Sequence, residues 1–194
     1  LSTGYWAAKI AEIRKGDTVL VIGAGPAGYC AALCALLHAP ARFVVCESDP
    51  FRRAFLQEHI PQAEAVSPAQ ALPLLSRTER GGADAVIEAA GTKESFRLAW
   101  ECARPNAVVA VVAMYEEAQT LPLPDMYGKN LTFKTGGVDG CDCRKVMELI
   151  AAGALDATPL ITHRVPFSEI DRAYELFEAK KDGVMKIAVQ MEHM

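Results

Sequence analysis

Three glycines, Gly23, Gly25 and Gly28, follow an apolar run from Thr18 to Ile22 at the spacing Gly-x-Gly-x-x-Gly. Residues of this type bind rather than react. Gly23 permits a tight turn out of a strand, Gly25 lets the backbone approach a pyrophosphate, and Gly28 lets the next helix pack closely on a sheet. Pro26 and Ala27 fill the remaining motif positions and are counted with the glycines as cofactor-binding. The N-terminus of the helix that follows would face the phosphates with unpaired N–H groups and a partial positive charge. A second apolar run, Phe43 to Cys46, ends in Glu47, 19 residues after Gly28. A carboxylate there hydrogen-bonds ribose hydroxyls and repels a 2′-phosphate, which argues for NAD over NADP.

Two further segments lie where such a crevice would need them. Ala89-Ala90-Gly91-Thr92 follows a fourth apolar run, and Val112-Ala113-Met114-Tyr115 follows a fifth. Small residues at a strand's carboxyl end allow a ring or sugar to approach. Either segment alone is equally well explained by packing, but with the glycine motif and Glu47 they trace one crevice. No catalytic or metal-binding residue emerges. The cysteines at 30, 34, 46, 102, 141 and 143 lack framework spacing and read as reduced, mostly buried thiols. Cys141-Asp142-Cys143 has no second pair or nearby histidine. His38, His59, His163 and His193 have no Cys or Glu at ligand spacing and read as surface or capping residues.

These residues need a scaffold. Strands are expected at Val19–Ile22, Phe43–Cys46, Ala85–Ile87, Val108–Val112 and Leu131–Lys134, with a weak one at Ala65-Val66. Their near-continuous apolarity suits parallel strands covered on both faces. Helices alternate with them. Asp49-Pro50 and Ser67-Pro68 read as helix starts, Gln70 completes a capping box with Ser67, and Ser168 with Asp171 reads as the same signal later. The fold class is therefore α/β, a doubly wound Rossmann sheet in the order 3-2-1-4-5-6. A helix near 143–152, an extended 160–167, a helix near 168–180 and a strand at 185–190 break the rhythm and form a C-terminal αβ extension. The expected division is a cofactor domain at 1–137 and a separate segment at 138–194. With 194 residues, a net charge of −4 and no basic block longer than a pair, the chain has no electrostatic footprint for nucleic acid or an anionic membrane. No apolar stretch is long enough to span a bilayer, and a cytoplasmic location is expected.

Leu1-Ser2-Thr3-Gly4-Tyr5, the run Gly16 to Gly23, Gly82-Ala83-Asp84-Ala85-Val86-Ile87-Glu88, Leu160-Ile161-Thr162-His163-Arg164 and Asp182 to Ile187 succeed one another in an order that resembles the medium-chain, zinc-dependent alcohol dehydrogenase family across essentially the whole chain. The resemblance implies Gly23, Gly25 and Gly28 at the pyrophosphate, and Glu47 with Arg52 at the adenosine ribose. It implies Thr3 and Val112 beside the nicotinamide, Gly136 at the carboxamide and Lys186 reaching the pyrophosphate; Ala89, Ala90, Ala113 and Met114 are placed along the same crevice by their positions after the fourth and fifth strands. It implies hydride transfer between a small alcohol and NAD, giving an aldehyde or ketone, with zinc stabilising the alkoxide. It also implies a homodimer or homotetramer joined through the edge strand at 130–135, with Leu121-Pro122-Leu123-Pro124 as an apolar arm. The sequence departs from the family in lacking the zinc ligands and the structural zinc loop. A start at Leu1, without an initiator Met, is expected of a piece excised from a longer chain, and these residues are expected to bind NAD without zinc or turnover. Pro105-Asn106 stands where the family often has Pro-Gly, and Asn is expected to keep the left-handed turn. A stand-alone NAD-binding or sensing module and an FAD-binding flavoprotein domain are the alternatives.

Overall fold

Strands and helices alternate from the first residues, as the apolar periodicity requires. The computed structural model describes residues 1–138, 140 and 142–191. In chain order, the elements of the first compact unit, Leu1–Leu155, are α1 (Ser2–Ile10), β1 (Thr18–Ile22), α2 (Pro26–Leu36), β2 (Arg42–Cys46), α3 (Pro50–His59), β3 (Glu64–Val66), α4 (Pro68–Leu75), β4 (Ala83–Glu88), α5 (Lys93–Cys102), β5 (Ala103–Val111), a short α6 (Leu123–Met126), β6 (Thr132–Thr135) and α7 (Cys143–Ala151). The six strands form one parallel sheet in the order β3-β2-β1-β4-β5-β6. Val19 to Val21, Val44 and Val45, and Val86 and Ile87 are at most 1% exposed, which is why these strands carry no polar alternation.

Register does the positioning. Val66, Cys46, Ile22, Glu88, Val111 and Thr135 lie level across the sheet. The next residues of β2, β1, β4, β5 and β6 are Glu47, Gly23, Ala89, Val112 and Gly136. Five residues expected in the crevice therefore stand in one row at the carboxyl edge of the sheet.

Packing against the sheet explains two sequence features. Almost all of α2 is apolar because it is covered twice, by the sheet and by α1, an element absent from the sequence expectation. The two helices cross so closely that a Cβ on Gly4 would fall 2.4 Å from the Cys30 carbonyl carbon. At the other side, α5 runs straight into β5 without a loop, and Lys129 Nζ donates to the carbonyl oxygens of Trp100, Glu101 and Ala103, closing the helix end. Because of that junction β5 begins at Ala103, earlier than expected, with Asn106 in the left-handed conformation at φ 62° inside it. Asp49 caps α3 by accepting from Phe51 N and Arg52 N, and Gln70 Oε1 accepts from Ser67 N at the start of α4.

The first unit extends beyond residue 137 to Leu155 because α7 joins it, with Lys9 Nζ on α1 paired 3.0 Å from Asp142 Oδ2 at the start of α7. The second unit, Asp156–Met194, contains β7 (Ile161–Pro166), α8 (Ile170–Ala179) and β8 (Lys186–Gln190), the two strands pairing in parallel. Ser168 does not open α8. It sits in a 3₁₀ turn, Phe167–Glu169, and the helix starts at Ile170 without a side-chain cap. Among the described residues no helix is long and apolar enough to cross a membrane.

Candidate functional site

The three motif glycines do different work, and a hypothetical Cβ on each separates their roles. Gly23 turns out of β1 at φ +95°, a conformation that favours glycine. A Cβ on Gly28 would lie 1.8 Å from the Gly23 carbonyl oxygen, so α2 can leave the turn at this angle only with glycine there. Gly25 is neither strained nor crowded. Its φ of −64° and ψ of 178° suit any residue, and its Cβ would meet only Arg52 Nη1, at 3.6 Å. Among the described residues no contact requires glycine at 25, so its bare backbone is open to something approaching from outside. Gly25 is also the N-cap of α2, which has Pro26 in its first turn and no side-chain cap. An anion at that end would complete the helix.

Glu47 is 7% exposed and braces this turn. Its Oε2 accepts from Ala24 N at 2.7 Å, and its Oε1 accepts from Asp49 N at 2.9 Å and from Ser48 Oγ at 3.2 Å. A carboxylate offers about four lone-pair directions, so one acceptor direction is left for a ligand hydroxyl. Arg53 Nη1 donates to the carbonyl oxygens of Glu47 and Ser48, fixing the backbone behind the carboxylate. Gly23, Gly25, Glu47, Arg52, Ala89 and Ala90 line one cleft of about 470 Å³, which continues past Thr92 to Arg97.

The opposite wall contains a pair that sequence reasoning missed. Glu88, the last residue of β4, is wholly buried. Its Oε1 accepts from Ala90 N at 2.8 Å and Gly91 N at 2.9 Å, and its Oε2 accepts from the Tyr115 hydroxyl at 2.6 Å. The Tyr115 ring meets Phe96 edge-on at 6.1 Å. Burial, then Glu88, pushes the Tyr115 phenol above its ordinary value, so it stays a donor. The available signal was a carboxylate just past the apolar run Ala85–Ile87; its partner, 27 residues away, stood in the segment expected at the crevice, but nothing in either stretch indicated the pairing.

The other expected residues divide by place. Val112 and Ala113 are half-buried just past β5, and Met114 projects into solvent with 95% of its surface exposed. Gly136 follows β6, where a Cβ would lie 3.7 Å from the Trp6 ring, and Thr3 is half-buried in the first turn of α1. Lys186 belongs to the second unit and opens β8. Among the described residues no three His, Cys, Asp or Glu side chains could hold a metal ion, so they do not fit a zinc site. His59 Nδ1 hydrogen-bonds the Phe55 carbonyl oxygen and His163 Nδ1 the Thr162 hydroxyl. Burial raises the thiols of Cys34, Cys46 and Cys102 to about 12. Cys141 and His193 lie outside the described residues.

Residues 26–152 match the family model described as zinc-binding dehydrogenase. An alcohol dehydrogenase of Cupriavidus necator is 29% identical over 203 residues, covering 98% of this chain and 54% of its own length. The alcohol dehydrogenase TADH from Thermus sp. ATN1 superposes with a TM-score of 0.90 at 28% identity, over 98% of this chain and 57% of that one. A short chain alcohol dehydrogenase from Escherichia coli CFT073, solved in complex with NADH, shares the fold at a TM-score of 0.82 and 22% identity, over 96% of this chain and 57% of that one. The chain spans about half the length of the curated relatives it matches.

Proposed function

Because the chain belongs to the zinc-binding dehydrogenase family, we propose that its crevice holds NAD(H) for hydride transfer between a small alcohol and the corresponding aldehyde or ketone. The observation that carries this is Gly25, a glycine that no contact among the described residues requires, at an uncapped helix start beside a braced carboxylate. Bound there, the cofactor supplies the hydride acceptor. The chain's residues bind and orient it. The first turn of α2 takes the pyrophosphate, with Gly23, Pro26, Ala27 and Gly28 shaping the turn, and Glu47 takes an adenosine ribose hydroxyl with Arg52 beside it. Ala89, Ala90, Val112, Ala113, Met114, Gly136 and Thr3 serve the nicotinamide side. The parallel order continuing through β6 favours this over the flavoprotein alternative. We also propose self-association through β6, an open edge of the sheet, and a cytoplasmic location, in keeping with the unpaired buried thiols.

Calorimetric titration with NAD and NADP, on the native chain and on Glu47→Ala, tests the assignment. A 2′-phosphate facing Glu47 meets like charge and loses a hydrogen bond, so NAD should bind more tightly by about tenfold or more, about 1.4 kcal/mol per decade. Glu47→Ala should narrow the gap. Equal or tighter NADP binding by the native chain would remove Glu47 from this role.

A further inference from the structure

One buried polar assembly beside the crevice takes no part in gripping the pyrophosphate. Glu88 is bonded twice over to the loops that follow β4 and β5. Its carbonyl oxygen accepts from Val112 N at 2.9 Å, and its carboxylate accepts from Ala90 N, Gly91 N and the Tyr115 hydroxyl. The loops also touch through their backbones. Gly91 is at φ +76°, and a Cβ on it would fall 2.7 Å from the Met114 carbonyl oxygen. Ala90 in turn abuts the glycine turn, 3.1 Å from where a Gly23 Cβ would stand. Among the described hydrogen bonds no side chain joins segment 112–115 directly to 89–91; the Tyr115 hydroxyl reaches that wall through the Glu88 carboxylate, alongside the backbone bonds from Val112 N and Ala113 N to the Glu88 carbonyl oxygen.

In a doubly wound sheet the two halves of a dinucleotide lie on opposite sides of the crossover between β1 and β4. The adenosine side is built on Glu47, whose donors are Ala24, Ser48 and Asp49. Glu88 shares none of them. Segment 112–115 lines none of the cleft that holds Glu47 and Arg52, whereas Ala90 does, so loosening the Glu88–Tyr115 tie acts first on the 112–115 side.

We propose that Tyr115 is a positioning residue for the nicotinamide end of the cofactor, acting through Glu88 to hold the 112–115 segment against the 89–91 wall. This rests on the NAD(H) reading above. Tyr115 touches no reacting atom in this account. Its hydroxyl donates to a buried carboxylate that would otherwise lose a donor, while its ring packs on Phe96 and would stay there in a phenylalanine variant.

The test compares NADH with ADP-ribose, which carries the adenosine and pyrophosphate but no nicotinamide, on the native chain, Tyr115→Phe and Gly91→Ala. The first variant removes the tie, and the second drives the two loops apart by a separate route. Tyr115→Phe should bind ADP-ribose within twofold of the native chain, lose about tenfold in NADH affinity, and show a smaller rise in nicotinamide fluorescence at saturation, and Gly91→Ala should lose NADH affinity by at least as much. Thermal melts establish that each variant is folded, and the split in folded Tyr115→Phe supports the tie. Unchanged NADH binding in the folded variants, or an equal fall for both ligands in Tyr115→Phe, would overturn the proposal by giving Tyr115 a purely structural role. A native chain that binds neither ligand would instead overturn the NAD(H) reading and this proposal with it.

Discussion

Alanine at Gly25 and at Gly28 should have opposite consequences, although the residues are three apart in one motif. At Gly28 the new methyl would start 1.8 Å from the Gly23 carbonyl oxygen and 2.8 Å from its carbon. Both are backbone atoms of the turn, so α2 has to retreat from β1 by roughly 1.5 Å, and overpacking of this kind costs about 1–3 kcal/mol. For a domain of this size each kcal/mol lowers the melting temperature by about 2–4 °C, which places Gly28→Ala about 2–12 °C below the native chain. At Gly25 the backbone already has a conformation alanine favours, and the methyl meets only Arg52 Nη1 at 3.6 Å. Replacing such a glycine narrows the unfolded ensemble and stabilises by about 0.4–1 kcal/mol. The same methyl occupies the space through which a pyrophosphate reaches the helix N–H groups, so NADH affinity should fall at least about tenfold. Melting and NADH titration on the same samples separate the effects. A Gly25→Ala protein that binds NADH normally, or that melts below the native chain, would refute the reasoning.

Two further outcomes follow from other parts of the molecule. Asp84, at the amino end of β4, accepts from Thr18 N, Arg80 and Arg104, and although burial alone would raise its carboxyl, these partners hold it below the ordinary aspartate range. Its contribution is thus full above the unfolded value of about 3.9 and is lost as pH falls below that through the lower folded value; Asp84→Asn should cost about 2 kcal/mol at neutral pH and flatten acid unfolding below about pH 4, and an unchanged acid limb in denaturation curves would count against it. Leu123 of the arm and Tyr127 just past it, 68% and 93% accessible, precede the open β6 edge, so light scattering should give a native oligomer that Leu123→Glu with Tyr127→Glu shifts toward monomer. A native monomer at micromolar concentration would show that this edge is not an interface.

What was legible in the sequence was whatever burial writes into composition. Strands covered on both faces are apolar through their middles, so β1, β2, β4 and the core of β5 could be found, and their order followed from the alternation with helices. The position of Glu47 at the carboxyl end of β2 was legible because it stands a fixed distance along one βαβ unit. Contacts between distant segments were not. The pairing of Glu88 with Tyr115 joins the end of β4 to a segment expected at the same crevice, but no local pattern marks two side chains 27 residues apart as partners, and α1 is held by α2 through small residues such as Gly4 rather than by a strong pattern of its own. The early start of β5 depends on Lys129, 26 residues further on, closing the end of α5. At Ser168 the local pattern of a capping residue was present, but the chain takes a 3₁₀ turn there, and a local signal lost to its surroundings. Leu131 and Phe133, at the edge strand, lean onto the core, with Phe133 6.0 Å from Phe96, so what β6 leaves open is its backbone.

The central claim is that the crevice at the carboxyl edge of the sheet is a dinucleotide site, and a crystal structure of the chain with NADH tests it most directly. The account predicts the pyrophosphate at the first turn of α2, against the bare backbone of Gly25, with an adenosine ribose hydroxyl on Glu47 and the nicotinamide on the Val112 side. A cofactor bound elsewhere, or one whose ribose stands clear of Glu47 while the phosphates avoid the helix start, would contradict it.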